Sequence, residues 1–132
     1  MKVLVADDDA TTRMIVSMSL TKADGFDVIC AADGAQAAAL AEADPPDLII
    51  LDGMMPVLDG PETLLKLRRS DRTKDIPVIL LSASSDPDAL ARFRALWPAA
   101  VVAKPFKPAE LSALARKIIT NLPGRSGESD LL

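Results

Sequence analysis

Four short apolar runs in this 132-residue chain each lead into a side chain able to do chemistry. Residues 3–6 (VLVA) run into Asp7, Asp8 and Asp9. Residues 48–51 (LIIL) run into Asp52, followed at once by Gly53. Residues 76–81 (IPVILL) run into Ser82, and residues 99–103 (AAVVA) into Lys104. Taken singly, each has an ordinary explanation: a solvated acidic turn, or a carboxylate capping a loop. Brought together, Asp7, Asp8 and Asp52 would repel, and like charges that close stay ionised only when something positive joins them. An all-oxygen donor set favours a hard cation, and Mg²⁺ typically takes one or two carboxylates and keeps waters. Lys104 adds a fixed positive charge and Ser82 a hydroxyl donor. A carboxylate, a divalent cation, a lysine and a hydroxyl suit phosphoryl transfer, with the carboxylate attacking in line. The chain has no histidine, so acid–base catalysis by histidine, histidine metal ligands and a phosphohistidine on this chain are excluded.

Five alternating strand and helix segments are expected to position these residues. An unbroken apolar run of four to six residues, bounded by turn formers, reads as a strand buried on both faces. Strands are expected at 3–6, 26–31, 48–51, 76–81 and 99–103. The segment 11–20 reads as a helix with Met14, Ile15 and Met18 on its apolar face, ended by Ala23, Asp24 and Gly25. Asp33 suits the N-cap of an alanine-rich helix at 35–43. Asp59, Gly60 and Pro61 form a cap with proline in the first turn of a helix to Arg69, whose Lys66, Arg68 and Arg69 suit its C-terminal end. Asp86-Pro87 opens a helix with Leu90, Phe93, Leu96 and Trp97 on one face, and Pro98 ends it. Pro108 starts the last helix, with Leu111, Leu114, Ala115 and Ile118 spaced as one stripe.

Short apolar strands with helical crossovers predict an α/β fold: a doubly wound parallel sheet covered on both faces, flavodoxin-like, with strand order 2-1-3-4-5. Asp7, Asp8, Asp52, Ser82 and Lys104 then all lie at the carboxyl ends of strands, the edge where open parallel sheets bind ligands.

Composition narrows the class further. Hydrophobic residues make up 49% but aromatic ones only 3%, so the core must be aliphatic. A net charge of −4 argues against general affinity for nucleic acid. Cys30, the single cysteine, is expected to be a small buried side chain, and a chain without a disulfide framework suits the cytoplasm. No signal peptide is expected from the four apolar residues after Met1-Lys2, and no run approaches the ~20 residues of a membrane span. One domain is expected over 1–121, with 122–132, rich in glycine, serine and charge, a flexible tail or truncated linker.

The whole pattern resembles the response-regulator receiver domain of two-component signalling, the group that includes chemotaxis regulators. The resemblance covers roughly residues 2–121 and rests on Asp7-Asp8, on Asp52 followed by Met55-Pro56 and Asp59-Gly60, on Ser82-Ala83, and on Lys104-Pro105-Phe106. It implies that Asp52 is the phosphoacceptor, supplied by a phosphohistidine on a histidine kinase or histidine phosphotransfer protein. It implies Mg²⁺ held by Asp8 and Asp52, by Asp7 through water and by the backbone carbonyl of Met54. Lys104 would bridge to the phosphoryl oxygens and Ser82 would hydrogen-bond them. The Lys104–Pro105 bond would be cis, and Asp9 carries no required role. Such a domain catalyses only its own phosphorylation and dephosphorylation, and signals to an effector protein or output domain without binding nucleic acid or membrane itself.

Three positions depart from the family pattern. Val101 stands where an aromatic residue usually couples phosphorylation to the output face. Trp97-Pro98 replaces a common Gly-Ala pair, and Gly53 replaces a larger apolar residue. Two other readings follow: a receiver-like binding scaffold whose phosphorylation is vestigial, and a haloacid-dehalogenase-like phosphatase. The latter family places its nucleophile after the first strand and carries a cap insertion, for which 132 residues leave no room.

Overall fold

A computed structural model describes residues 1–83, 87–96 and 98–121, apart from the side chains at 23, 24, 88, 89 and 93. Residues 84–86, including the Asp86 expected to open the fourth helix, the expected apolar contacts of Phe93 and Trp97, and the 122–132 tail lie outside the described residues.

Strands and helices alternate: β1 (Lys2–Ala6), α1 (Ala10–Asp24), β2 (Asp27–Ala31), α2 (Gly34–Ala43), β3 (Leu48–Asp52), α3 (Gly60–Arg68), β4 (Val78–Ser82), α4 (Pro87–Arg94), β5 (Ala100–Ala103) and α5 (Pro108–Thr120). All strand pairs are parallel, in the order β2-β1-β3-β4-β5 expected from the sequence. β3 and β4 are buried at every position, as central strands covered on both faces must be. β4 starts two residues later than the apolar run, because Pro77 has no N–H to give the ladder; its carbonyl accepts from Ile49 instead.

Successive side chains of each strand point to opposite faces. Leu4, Ile49, Leu51, Val78 and Leu80 face one way and pack with Ala37 and Ala41 of α2 and Leu64 and Leu67 of α3, with Leu90 of α4 at the margin. Val3, Val5, Leu48, Ile50, Ile79 and Leu81 face the other way, against Val16 and Leu20 of α1 and Leu111, Ala115 and Ile119 of α5. Helix ends follow the local chemistry. Asp33 caps α2 by accepting from the Gln36 N–H, and Asp59 and Glu62 form a reciprocal capping box on α3. α1 ends at Gly25, whose φ of 66° is the left-handed conformation a glycine adopts without strain.

Three expectations of burial are corrected. Met14, Ile15 and Met18 are exposed rather than core, and Val16 and Leu20 are the residues α1 buries. At 100° per residue the two sets lie on nearly opposite sides of the helix. α5 decides which is covered: Ser19 donates to the Pro108 carbonyl and shares a 2.6 Å hydrogen bond with Ser112, fixing α1 in that rotation. On α5 the buried stripe is Leu111, Ser112, Ala115 and Ile119, with Leu114 and Ile118 only partly buried beside it. Cys30 is exposed, on a strand at the edge of the sheet; its Sγ lies 3.2 Å from Ser17 Oγ of α1. Among the described residues, no helix is long and apolar enough to cross a membrane.

Candidate functional site

The parallel topology brings the carboxyl ends of β1, β3, β4 and β5 to one edge. Asp7 follows β1 and is only 1% exposed. Its backbone is held on both sides: its N–H donates to the Ala31 carbonyl, and its own carbonyl accepts from Arg13 Nη1 at 2.6 Å. Arg13 was not singled out in the sequence, and a basic side chain in the first turn of α1 carries no signal of this role. Asp8 is exposed beside it. Asp9 N-caps α1, accepting from the Thr11 N–H and the Thr12 hydroxyl, and those bonds, Thr12's foremost, hold its carboxyl below the ordinary range. Asp52 ends β3 and is 5% exposed; its Oδ1 accepts from the Met54 N–H at 3.4 Å. Ser82 ends β4, buried, in register with Ala103, and its carbonyl accepts from the Lys104 N–H.

One carboxylate oxygen from each of Asp7, Asp8 and Asp52 lies within 4.8 Å of the others. Lys104 Nζ lies between two of them, 3.2 Å from Asp7 Oδ2 and 3.2 Å from Asp52 Oδ1. The Lys104–Pro105 peptide bond is cis, as the family resemblance implied. Every side chain expected at the site is thus on this edge. Met54 is there too, although its own side chain points into solvent, 74% exposed.

The electrostatics follow from one cation shared by two buried carboxylates. Burial raises the Asp52 carboxyl above its ordinary value, Asp7 raises it further, and Lys104 offsets these only in part. Burial alone would lower the Lys104 ammonium, but Asp52 and then Asp7 outweigh it and hold the ammonium above its ordinary value. Three carboxylates facing one ammonium leave negative charge unbalanced. An all-oxygen donor set with that excess fits a hard divalent cation and does not fit a softer thiolate- or imidazole-seeking metal.

The loop after β3 is fitted closely to this edge. Gly60 N–H donates to the Gly53 carbonyl, and a Cβ on Gly60 would sit 2.8 Å from Gly53 Cα and 2.9 Å from the Asp52 carbonyl oxygen. Only glycine allows α3 to start so near the backbone that carries Asp52. The loop also holds Val57 at φ 71°, a left-handed conformation that a β-branched residue adopts only under strain.

The family model "Response regulator receiver domain" matches residues 3–116. A probable transcriptional regulator ycf27 of Porphyridium aerugineum is 37% identical over 98% of this chain and 52% of its own length. The phosphate regulon transcriptional regulatory protein PhoB of Pseudomonas aeruginosa is 33% identical over 97% of this chain and 54% of its own. The chain thus spans about half the length of the curated relatives it matches. Among solved structures, the chemotaxis response regulator CheY4 of Vibrio cholerae superposes with a TM-score of 0.80 at 33% identity, covering 89% of this chain and 97% of that one. A signal receiver domain of a histidine kinase from Syntrophus aciditrophicus gives a TM-score of 0.86 at 25% identity, covering 96% and 95%. A family match along almost the entire described fold, with relatives identical at about a third of the aligned positions, means that this chain belongs to the response regulator receiver domains of two-component signalling.

Proposed function

We propose that the chain accepts a phosphoryl group on Asp52 from a phosphohistidine of a histidine kinase or histidine phosphotransfer protein. The observation that carries this reading is the placement of Lys104 Nζ, 3.2 Å from both Asp7 and Asp52, with Asp8 alongside. Asp52 is the acceptor because it ends the central strand with one oxygen toward Lys104. Its carboxylate forms the new O–P bond as the P–N bond to imidazole breaks, and the imidazole leaves with its electron pair. Lys104 neutralises the transferred oxygens, and the Ser82 hydroxyl donates to them once Asp52 is modified. Asp8, Asp52 and the Met54 carbonyl would hold Mg²⁺, with Asp7 joining through water. When bound, the ion withdraws charge from the phosphoryl oxygens and relieves the repulsion among the carboxylates.

The chain turns over no separate substrate in this reading; it catalyses only its own modification and its reversal, in the cytoplasm. Residues 1–121 form the receiver, which passes the signal to an output. That output is an effector protein or a further domain rather than nucleic acid binding by the receiver itself, in keeping with a net charge of −4. The phosphohistidine partner seats on the exposed Met14, Ile15 and Met18 of α1, a helix that starts two residues after Asp8. The test is intact-mass analysis with acetyl phosphate and Mg²⁺. Wild type should gain one phosphoryl group and Asp52→Asn none; an undiminished adduct in that variant places the nucleophile elsewhere.

A further inference from the structure

A cavity of about 530 Å³ opens beside the acidic site and shares Asp8 and Ser82 with it. A phosphoryl group fills roughly the space of three waters, on the order of 100 Å³. The cavity is therefore several times larger than the group to be transferred and lies within the size range of small-ligand sites. Its remaining wall is largely apolar, including Gly53, Met55 and Pro61. Its one cation among the described residues is Arg92 of α4, and its remaining acid is Asp59, the N-cap of α3.

These two charges are only loosely engaged. Arg92 Nη2 stands 3.9 Å from Asp59 Oδ2, beyond hydrogen-bond distance, and the Arg92 side chain is 63% exposed. Asp59 meanwhile has its own task, accepting from the Glu62 N–H through Oδ1. A solvent-screened contact of this kind contributes little. The guanidinium can turn to a better anion at almost no cost, and its planar fork suits a carboxylate or phosphate.

We propose that this cavity is a subsite for the departing part of a small phosphodonor, and that Arg92 makes it select acyl phosphates whose tail carries a second anionic group. The proposal rests on the reading of Asp52 as phosphoacceptor. In-line attack puts the leaving group on the far side of phosphorus from the Asp52 oxygen. For an acyl phosphate, the O–P bond to Asp52 forms as the P–O bond to the acyl carboxylate breaks. The carboxylate leaves with the bonding pair, and no proton is required. A tail bearing its own carboxylate lies along the apolar wall and ends at Arg92.

The experiment compares succinyl phosphate with butyryl phosphate, donors of similar length whose tails are anionic and neutral. Initial rates of Asp52 adduct formation are read by intact mass in Mg²⁺, as the succinyl-to-butyryl ratio within each variant, so any general loss of reactivity cancels. The ratio in wild type should exceed that in Arg92→Gln by about three- to ten-fold, the factor expected of a charge-assisted contact at a partly exposed site. Arg92→Lys should keep part of the preference, and Arg92→Glu should invert it. An equal ratio in wild type and Arg92→Gln overturns the proposal. A second measurement separates it from the phosphoacceptor reading: NMR titration of the unphosphorylated protein with succinate. Shifts at the Arg92 side-chain N–H and the Gly53 amide, lost in Arg92→Gln, support the subsite even if neither donor modifies Asp52, in which case the phosphoacceptor reading is what fails. Absence of those shifts in wild type counts against the subsite whatever the donors do.

Discussion

Replacing Lys104 by methionine isolates the electrostatic problem at the centre of this fold. The ammonium is 3.2 Å from each of two carboxylates, and their side chains are 1% and 8% exposed. With an effective dielectric constant of about 20, each contact is worth roughly 5 kcal/mol of gross attraction. Most of that is offset by the cost of desolvating the three groups, and removing one partner of a buried ion pair typically costs about 3–5 kcal/mol. Lys104 keeps 25% of its side chain in water, and Asp52 can take up a proton once its partner is gone. We therefore expect Lys104→Met to lose about 2–3 kcal/mol of folding stability, measured by urea unfolding with far-UV circular dichroism at pH 7.5 in EDTA. Asp52→Asn should act the opposite way. Because burial and then Asp7 raise the Asp52 carboxyl in the folded state, its contribution to stability is fully present below the ordinary value of 3.8 and is lost as pH rises through the raised value. The amide should therefore stabilise the metal-free protein at pH 7.5, with the advantage shrinking to nothing below pH 3.8. It should also restore much of the Lys104→Met loss in the double variant. A Lys104→Met protein within about 0.5 kcal/mol of wild type, or a double variant no more stable than Lys104→Met, would show that the cluster is not governed by this repulsion.

Asp8→Ala should abolish Mg²⁺ binding by isothermal titration while raising metal-free stability; unchanged Mg²⁺ affinity would remove Asp8 from the ligand set. Gly60→Ala forces a Cβ to within 2.8–2.9 Å of the Asp52–Gly53 backbone, so unfolding experiments should show a loss of about 2–3 kcal/mol with slowed Asp52 modification. Val57→Gly relieves a left-handed β-branched residue that is 73% exposed, and should gain about 0.5–1 kcal/mol in the same assay; a loss would mean the strain is not felt. Met14→Glu with Met18→Glu should slow transfer from a phosphohistidine protein at least several-fold while leaving the acetyl phosphate rate unchanged, and equal slowing of both would exclude a docking role.

The backbone plan and the reactive edge were legible in the residues because both are local properties multiplied by topology. A short apolar run bounded by turn formers becomes a strand at all five places, though only the central β1, β3 and β4 are buried at every apolar position and the edge strands β2 and β5 are not. In a parallel sheet every such strand points the same way, so Asp7, Asp52, Ser82 and Lys104 reach one edge with no knowledge of long-range contacts. Caps were legible for the same reason: Asp33 and Asp59 bond to N–H groups three residues ahead. Other features depend on partners distant in sequence. Periodicity alone allowed Met14, Ile15 and Met18 to be the buried face of α1, but contacts from Ser19 to Pro108 and Ser112, 89 and 93 residues away, turned them outward. Cys30 lay in an apolar run, but its strand proved to be an edge of the sheet. Nothing local marked Arg13 as the clasp on the Asp7 carbonyl, or Arg92 as the cation of a cavity beside Ser82. Composition and spacing thus determine which elements form and which ends carry chemistry. Which helix face is covered, and which charges meet at 3.2 Å, is decided only when elements far apart in the chain pack together, because burial and Coulomb energy depend on neighbours in space rather than in sequence.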